Sequence, residues 1–213
     1  MKTLIKKTFN FKGHLVYWHQ EAGRHYRRVV GGLAWPSPPA PGWLVVLGEE
    51  AQRDMGLSAR RLWVLAARTG AGLEDLHRGC LELRQQCQSE VWLTQVDHRP
   101  EVPRWWLMNR DLPEEARVFL TPTPYAGQPA VVISQLIGDF VLPHRKVLHF
   151  GKDSQLAREF LNLQTEDLKR PVDQFPALAA LGYAMAEMAL RQSQEWQGQQ
   201  PQVINTWNPY ESI

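Results

Sequence analysis

The sequence predicts a mixed α/β sheet with helices on its faces. Three observations predict it. Two apolar runs, VVGGLAW and GWLVVLGEE, flank the proline-rich PSPPAP and read as a hairpin. Strand-like and helix-like segments then alternate to the end of the chain, a pattern that covers both faces of a sheet. Finally, 213 residues with 44% hydrophobic and 22% charged side chains suit one domain with a full-sized core.

The elements follow in order. HLVYWH, 14–19, alternates in strand fashion, and EAG at 21–23 supplies a turn. The next strand runs from about Tyr26 to Trp35. PSPPAP cannot join a ladder fully, because proline has no N–H, and is expected to be a rigid loop. Trp43 to Gly48 and RRLWVLAART give two more strands. Leu73, Leu76, Cys80, Leu83 and Cys87 form a 3-4-3-4 apolar stripe, which predicts a helix over 73–87. The two cysteines then lie about 10 Å apart, too far for a disulfide, and read as small core residues. EVWLTQVD, 90–97, reads as a short buried strand ending in an aspartate.

Residues 98–112 carry two prolines and the Trp105–Trp106 pair, and are expected to form an irregular, partly exposed loop. A strand over 117–122 follows, then 129–141, which fits a strand or a helix with the helix favoured, and 146–151, a short strand or extended segment. Asp153 is placed to cap a helix SQLAREFLNLQ. KRPVDQFP is a loop, and Pro176 suits the start of the last helix. In that helix Leu178, Leu181, Met185 and Met188 recur at 3-4-3 spacing. The expected division is an N-terminal strand or extension at 1–24, the main domain at 25–196 and a polar tail at 197–213.

Net charge is +2, from 24 basic and 22 acidic residues, which does not mark a strong nucleic-acid binder. No apolar run approaches the ~20 residues of a membrane span. MKTLIKKTFNFKG lacks the apolar core of a secretory signal, so a soluble, cytoplasmic protein is expected. There is no P-loop, GxGxxG, GxSxG, HExxH or zinc-spaced Cys/His cluster. His98 beside Asp97 makes a poor general base, since neighbours on a strand point to opposite faces.

The order of elements matches the ribonuclease H-like fold, a mixed sheet with a three-stranded antiparallel start and helices on both faces. More narrowly, the chain resembles the nuclease domain of phage terminase large subunits, which package and cut viral DNA. VVGGLAWPSPPAPGWLVVLGEE looks like that family's first hairpin. LEDLHRGCLELRQQCQSEVWLTQVD looks like its first helix and the strand that ends in an acid. DQFPALAALGYAMAEM looks like its last helix. The likeness covers roughly residues 25–190 and implies a DNA partner, phage packaging proteins and a separate ATPase motor.

It also implies two Mg²⁺ or Mn²⁺ ions, held by converging carboxylates, that clamp the attacking and leaving oxygens of a phosphodiester. The first strand should deliver an aspartate near Leu33–Trp35, and none is present. The fourth strand should end in an acid, and Asp97 stands there as the expected metal ligand. The last helix should open with an aspartate pair, but those places fall on Phe175 and Pro176, with Asp173 about a turn early. Glu49 and Glu50 substitute only if the sheet brings them beside Asp97. The expectation is a reduced or lost nuclease site. The alternative is a scaffold of the same fold that binds DNA or a protein. Arg24, Arg27, Arg28, Arg99, Arg104, Arg145 and Lys146 are the candidate phosphate contacts, and Trp105 the candidate base-stacking residue.

Overall fold

The computed structural model describes residues 4–9, 15–50, 61–141, 148–150 and 155–196. Within them lie strands β1 (Ile5–Phe9), β2 (Leu15–His19), β3 (Arg24–Ala34), β4 (Gly42–Glu50), β5 (Leu62–Gly70), β6 (Val91–Thr94), β7 (Phe119–Pro122) and β8 (Leu148–His149). The helices are α1 (Leu73–Cys87), α2 (Glu101–Arg110), α3 (Ala130–Val141), α4 (Gln155–Leu161) and α5 (Pro176–Trp196). The polar tail, Asp153, Arg145 and Lys146 lie outside the described residues.

All eight described strands belong to one sheet. β3 organises it. One edge of β3 pairs antiparallel with β4 along most of its length. Its other edge is divided: residues 24–26 pair antiparallel with β2, while Gly31 and Gly32 pair parallel with Trp92 and Leu93 of β6. β5 runs antiparallel to β4, and β7 runs parallel to β6. The central order is therefore β5-β4-β3-β6-β7. Three antiparallel strands are followed by two that run parallel to the first of them. That order, with α1 leading from β5 to β6, is the ribonuclease H-like fold. The β1–β2 hairpin and the two-residue β8 extend it at either side.

Two cores form because side chains alternate across the sheet. Trp43, Val45 and Leu47 of β4 face α5, together with Val30, Ala34 and Leu93. Leu44 and Val46 face the opposite way, onto Leu76, Cys80 and Leu83 of α1. Covered on both faces, β4 is buried almost throughout. Glycine is required where β3 is thinnest. A Cβ on Gly32 would stand 1.9 Å from the Ala180 carbonyl oxygen of α5, and one on Gly31 would stand 2.4 Å from the Trp92 ring. Ala179, Ala180 and Ala184 keep the facing side of α5 small, so its backbone rests directly on the strand.

One segment departs from expectation. Residues 101–110 are a helix, not an irregular loop. Two parallel neighbours such as β6 and β7 need a crossover, and α2 supplies it. Pro100 is its N-cap residue and Pro103 lies in its first turn, where no intrahelical N–H bond is forfeited. Val102, Trp105 and Asn109 make its buried stripe. β6 is also shorter than expected, so Asp97 sits in the turn that follows it.

Candidate functional site

The ends of β3 and β6 lie side by side. The parallel register, Gly31 with Trp92 and Gly32 with Leu93, carried two residues further sets Ala34 beside Gln95. Leu93 faces α5, so alternation turns Gln95 to the same side, and Ala34 packs there as well. This is the end of the sheet at which converging carboxylates were expected.

The side chains actually present form a different arrangement. Ala34 is a methyl group, 3% exposed, in the α5 core. The Arg99 Nε–H donates to Gln95 Oε1 at 2.7 Å. Trp35, buried, donates its indole N–H to the Gln95 carbonyl at 2.7 Å and so ties β3 to the end of β6. Asp97 is exposed in its turn, followed by His98 with a left-handed backbone (φ 57°). Asp173, just before α5, accepts the Gly127 backbone N–H at 2.8 Å on one oxygen and the Tyr183 hydroxyl on the other. Burial pushes the Tyr183 phenol far above its usual range; the hydrogen bond and charge of Asp173 add to this, and Arg99 opposes it. A guanidinium thus stands near the Asp173–Tyr183 pair.

Glu49 and Glu50 do not join this end. A hairpin reverses the chain, so the end of β4 lies beside the start of β3, and Glu49 pairs in register with Arg28. From Arg28 to Ala34 the strand rises roughly 20 Å. Glu49 is 1% exposed and forms an ion pair with Arg27, while Glu50 accepts the Trp63 indole N–H at 2.9 Å. Glu49 and Glu50 therefore do not converge with Asp97 and Asp173. Among the described residues no three His, Cys, Asp or Glu side chains are grouped to hold one metal ion. Among the described residues the donor set does not fit the two Mg²⁺ or Mn²⁺ ions of a nuclease of this fold.

The candidate DNA contacts are likewise spread out. Arg24, Arg27 and Arg28 belong to the start of β3, at the far end of the sheet. The Arg24 guanidinium lies 3.6 Å from the centre of the Trp63 ring, which also stacks on His149 at 4.0 Å. Arg99 and Arg104 are at the near end, where Arg104 pairs with Glu74 of α1 at 2.9 Å. Trp105 cannot offer a face to a base. It is fully buried, donates to the Val118 carbonyl at 3.2 Å, and meets Trp35 and His77 edge-on at 5.8 and 4.8 Å. Its indole fills the α1–α2 core because residues 101–110 are helical.

Sequence reasoning missed Gln95 and Tyr183. Gln95 could have been found by counting two residues on from Leu93 along the strand. Tyr183 stood in the Gly-Tyr-Ala of the last helix, but its partner Asp173 lies in the turn that enters that helix, where helical spacing does not predict the contact.

Among the described residues no helix is long and apolar enough to cross a membrane. No protein-family model matches the chain, and no curated protein matches it. Among solved structures, a Thermus thermophilus RuvC structure matches with a TM-score of 0.38 and 17% sequence identity, over 78% of this chain and 96% of that one. The ribonuclease H-like fold rests on strand order and direction.

Proposed function

We propose that this chain is a ribonuclease H-like module of phage DNA packaging or processing. In this reading the two-metal nuclease site is lost, and the module binds DNA without cutting it. The observation that carries the reading is the trio Ala34, Gln95 and Arg99 at the end of β3 and β6. A methyl stands near the first-strand place where the resemblance expects an acid, and beside it lies an amide paired with a guanidinium. Two divalent cations held by Asp97 and Asp173 alone would lack most of the oxygen ligands they require.

Arg99 and Arg104 are the phosphate contacts this reading assigns, since they share that end with the exposed Asp97 turn. The Arg104–Glu74 pair has both partners about two-thirds exposed (67% and 68%), so a phosphate can replace the carboxylate at little expense. A separate ATPase motor and other packaging proteins would supply what this chain lacks.

The test is incubation with supercoiled plasmid and Mn²⁺, with EDTA and Asp97→Ala controls, beside a gel-shift titration in salt. The expected result is intact plasmid, and retention that weakens steeply with salt and drops further in Arg99→Ala and Arg104→Ala. Cutting that requires both Mn²⁺ and Asp97 overturns the loss of the site. Absence of retention at low salt overturns DNA binding.

A further inference from the structure

The proline-rich loop joins β3 to β4. Ser37 and Ala40 close a tight turn through paired backbone hydrogen bonds of 3.1 and 2.8 Å. The turn leads through Pro41 into Trp43 of β4, and there it forms one rim of a cavity of about 230 Å³. α4 forms the second wall and the segment entering α5 the third.

Three aromatic rings line this cavity: Trp43, Phe160 and Phe175. Phe160 meets Phe150 edge-on at 6.1 Å. The polar groups at the cavity are Gln155, Gln174 and Glu159, two amides and one carboxylate. Among the described residues that line it there is no lysine or arginine. Glu159 is exposed and has no ion-pair partner among the described residues. Aromatic faces attract a cation through their quadrupole, and a carboxylate at the mouth adds to that attraction. The same carboxylate repels an anion, so the site disfavours a nucleotide phosphate.

We infer that this cavity is a docking pocket for a cationic side chain, an arginine or lysine presented by a partner protein. Arginine suits it better than lysine. A planar guanidinium stacks on aromatic rings while its N–H groups reach amide and carboxylate oxygens. The inference does not rest on DNA binding, because the group the pocket recruits carries the opposite charge to a phosphate.

The test uses ¹⁵N-labelled protein and three probes: a blocked Gly-Arg-Gly peptide, its citrulline counterpart, and cytidine. The Trp43 indole N–H and the Ala177 and Leu178 amides report on the pocket. The expected result is saturable shifts at these positions with the arginine peptide at millimolar concentration. Citrulline, isosteric but neutral, should bind at least fivefold more weakly. Glu159→Gln should weaken the arginine peptide by a similar factor, and Gln155→Glu should tighten it a few-fold. Both positions are exposed, and the same spectra verify folding. Equal binding of citrulline, or indifference to Glu159→Gln, overturns the inference. Cytidine shifting these signals while the arginine peptide does not would also overturn it, and would give the pocket to a base.

Discussion

The Tyr183 hydroxyl, on the second turn of α5, donates to the Asp173 carboxylate that precedes the helix, and this bond closes the end of the sheet. Tyr183 is 1% exposed, so its hydroxyl would otherwise be buried without water. The bond also holds Asp173 in place to accept the Gly127 N–H, which pins the turn before α3 to the start of α5. Tyr183→Phe removes one hydrogen bond to a charged group and is expected to destabilise the chain by about 1.5–3 kcal/mol. Urea denaturation measures this directly. A loss no larger than that of Tyr125→Phe, a partly exposed tyrosine, would show that the bond contributes little.

Gly32→Ala tests the contact between β3 and α5. The nearest atom to an added Cβ is a backbone oxygen at 1.9 Å, which no side-chain rotation can relieve. The helix must lift or the strand must bend. Overpacking of this kind costs about 1–3 kcal/mol, and the backbone contact places Gly32→Ala at the upper end. Gly127→Ala is a useful contrast: nothing lies within 4 Å of its Cβ, and its cost comes from the left-handed backbone (φ 71°) alone. A milder effect at Gly32 than at Gly127 would contradict the close approach.

These two sites show how much the sequence discloses. α1 was legible to the residue, because five apolar side chains repeat at helical spacing and nothing interrupts them. α2 was not. Its prolines read as breakers, and its stripe includes Asn109, which periodicity counts as polar. Asn109 is nevertheless buried, because its amide satisfies both the N–H and the carbonyl of Val118, at 3.2 and 2.5 Å. No local pattern reveals that match across nine residues. β6 was readable but its end was not: the strand stops at Thr94, and Asp97 lies in the turn that follows. The pairing of Glu49 with Arg27 depends on the register of the β3–β4 hairpin, and that of Asp173 with Gly127 on which loops meet, which only the folded topology decides.

The buried network around Asn109 makes stability depend on pH. His77 is 5% exposed, hydrogen-bonded to Asn109 Oδ1 at 3.1 Å, and burial holds its imidazole below the ordinary histidine value of 6.5, with the Asn109 bond opposing in part. His149 is lowered too, by burial first and then by the charges of Arg61 and Arg24. Both folded-state values lie below the unfolded one, so the unfolded chain takes up protons first as pH falls. Stability from these groups is complete above about pH 6.5 and declines below it. The urea midpoint is therefore expected to drop between pH 7.5 and 5.5, and the drop should shrink in His77→Gln. An unchanged pH dependence in both His77→Gln and His149→Gln would place the acid sensitivity elsewhere.

The two cysteines complete the account of the α1 face. Cys80 and Cys87 are both free and fully buried. Burial pushes the Cys87 thiol up to about 12 and the Cys80 thiol well above its usual value, where Arg68 opposes only in part. Only the thiolate attacks disulfide reagents, and here both access and ionisation are withheld. The native chain is expected to react with an aromatic disulfide reagent at pH 8 at least a hundredfold more slowly than the chain in urea, where both thiols react at once. Leu76→Ala opens space beside Cys80 in the same core and should speed its reaction while leaving the urea rate unchanged. Rapid labelling of either thiol in the folded wild-type chain would mean that α1 lifts from the sheet far more often than a close-packed core allows.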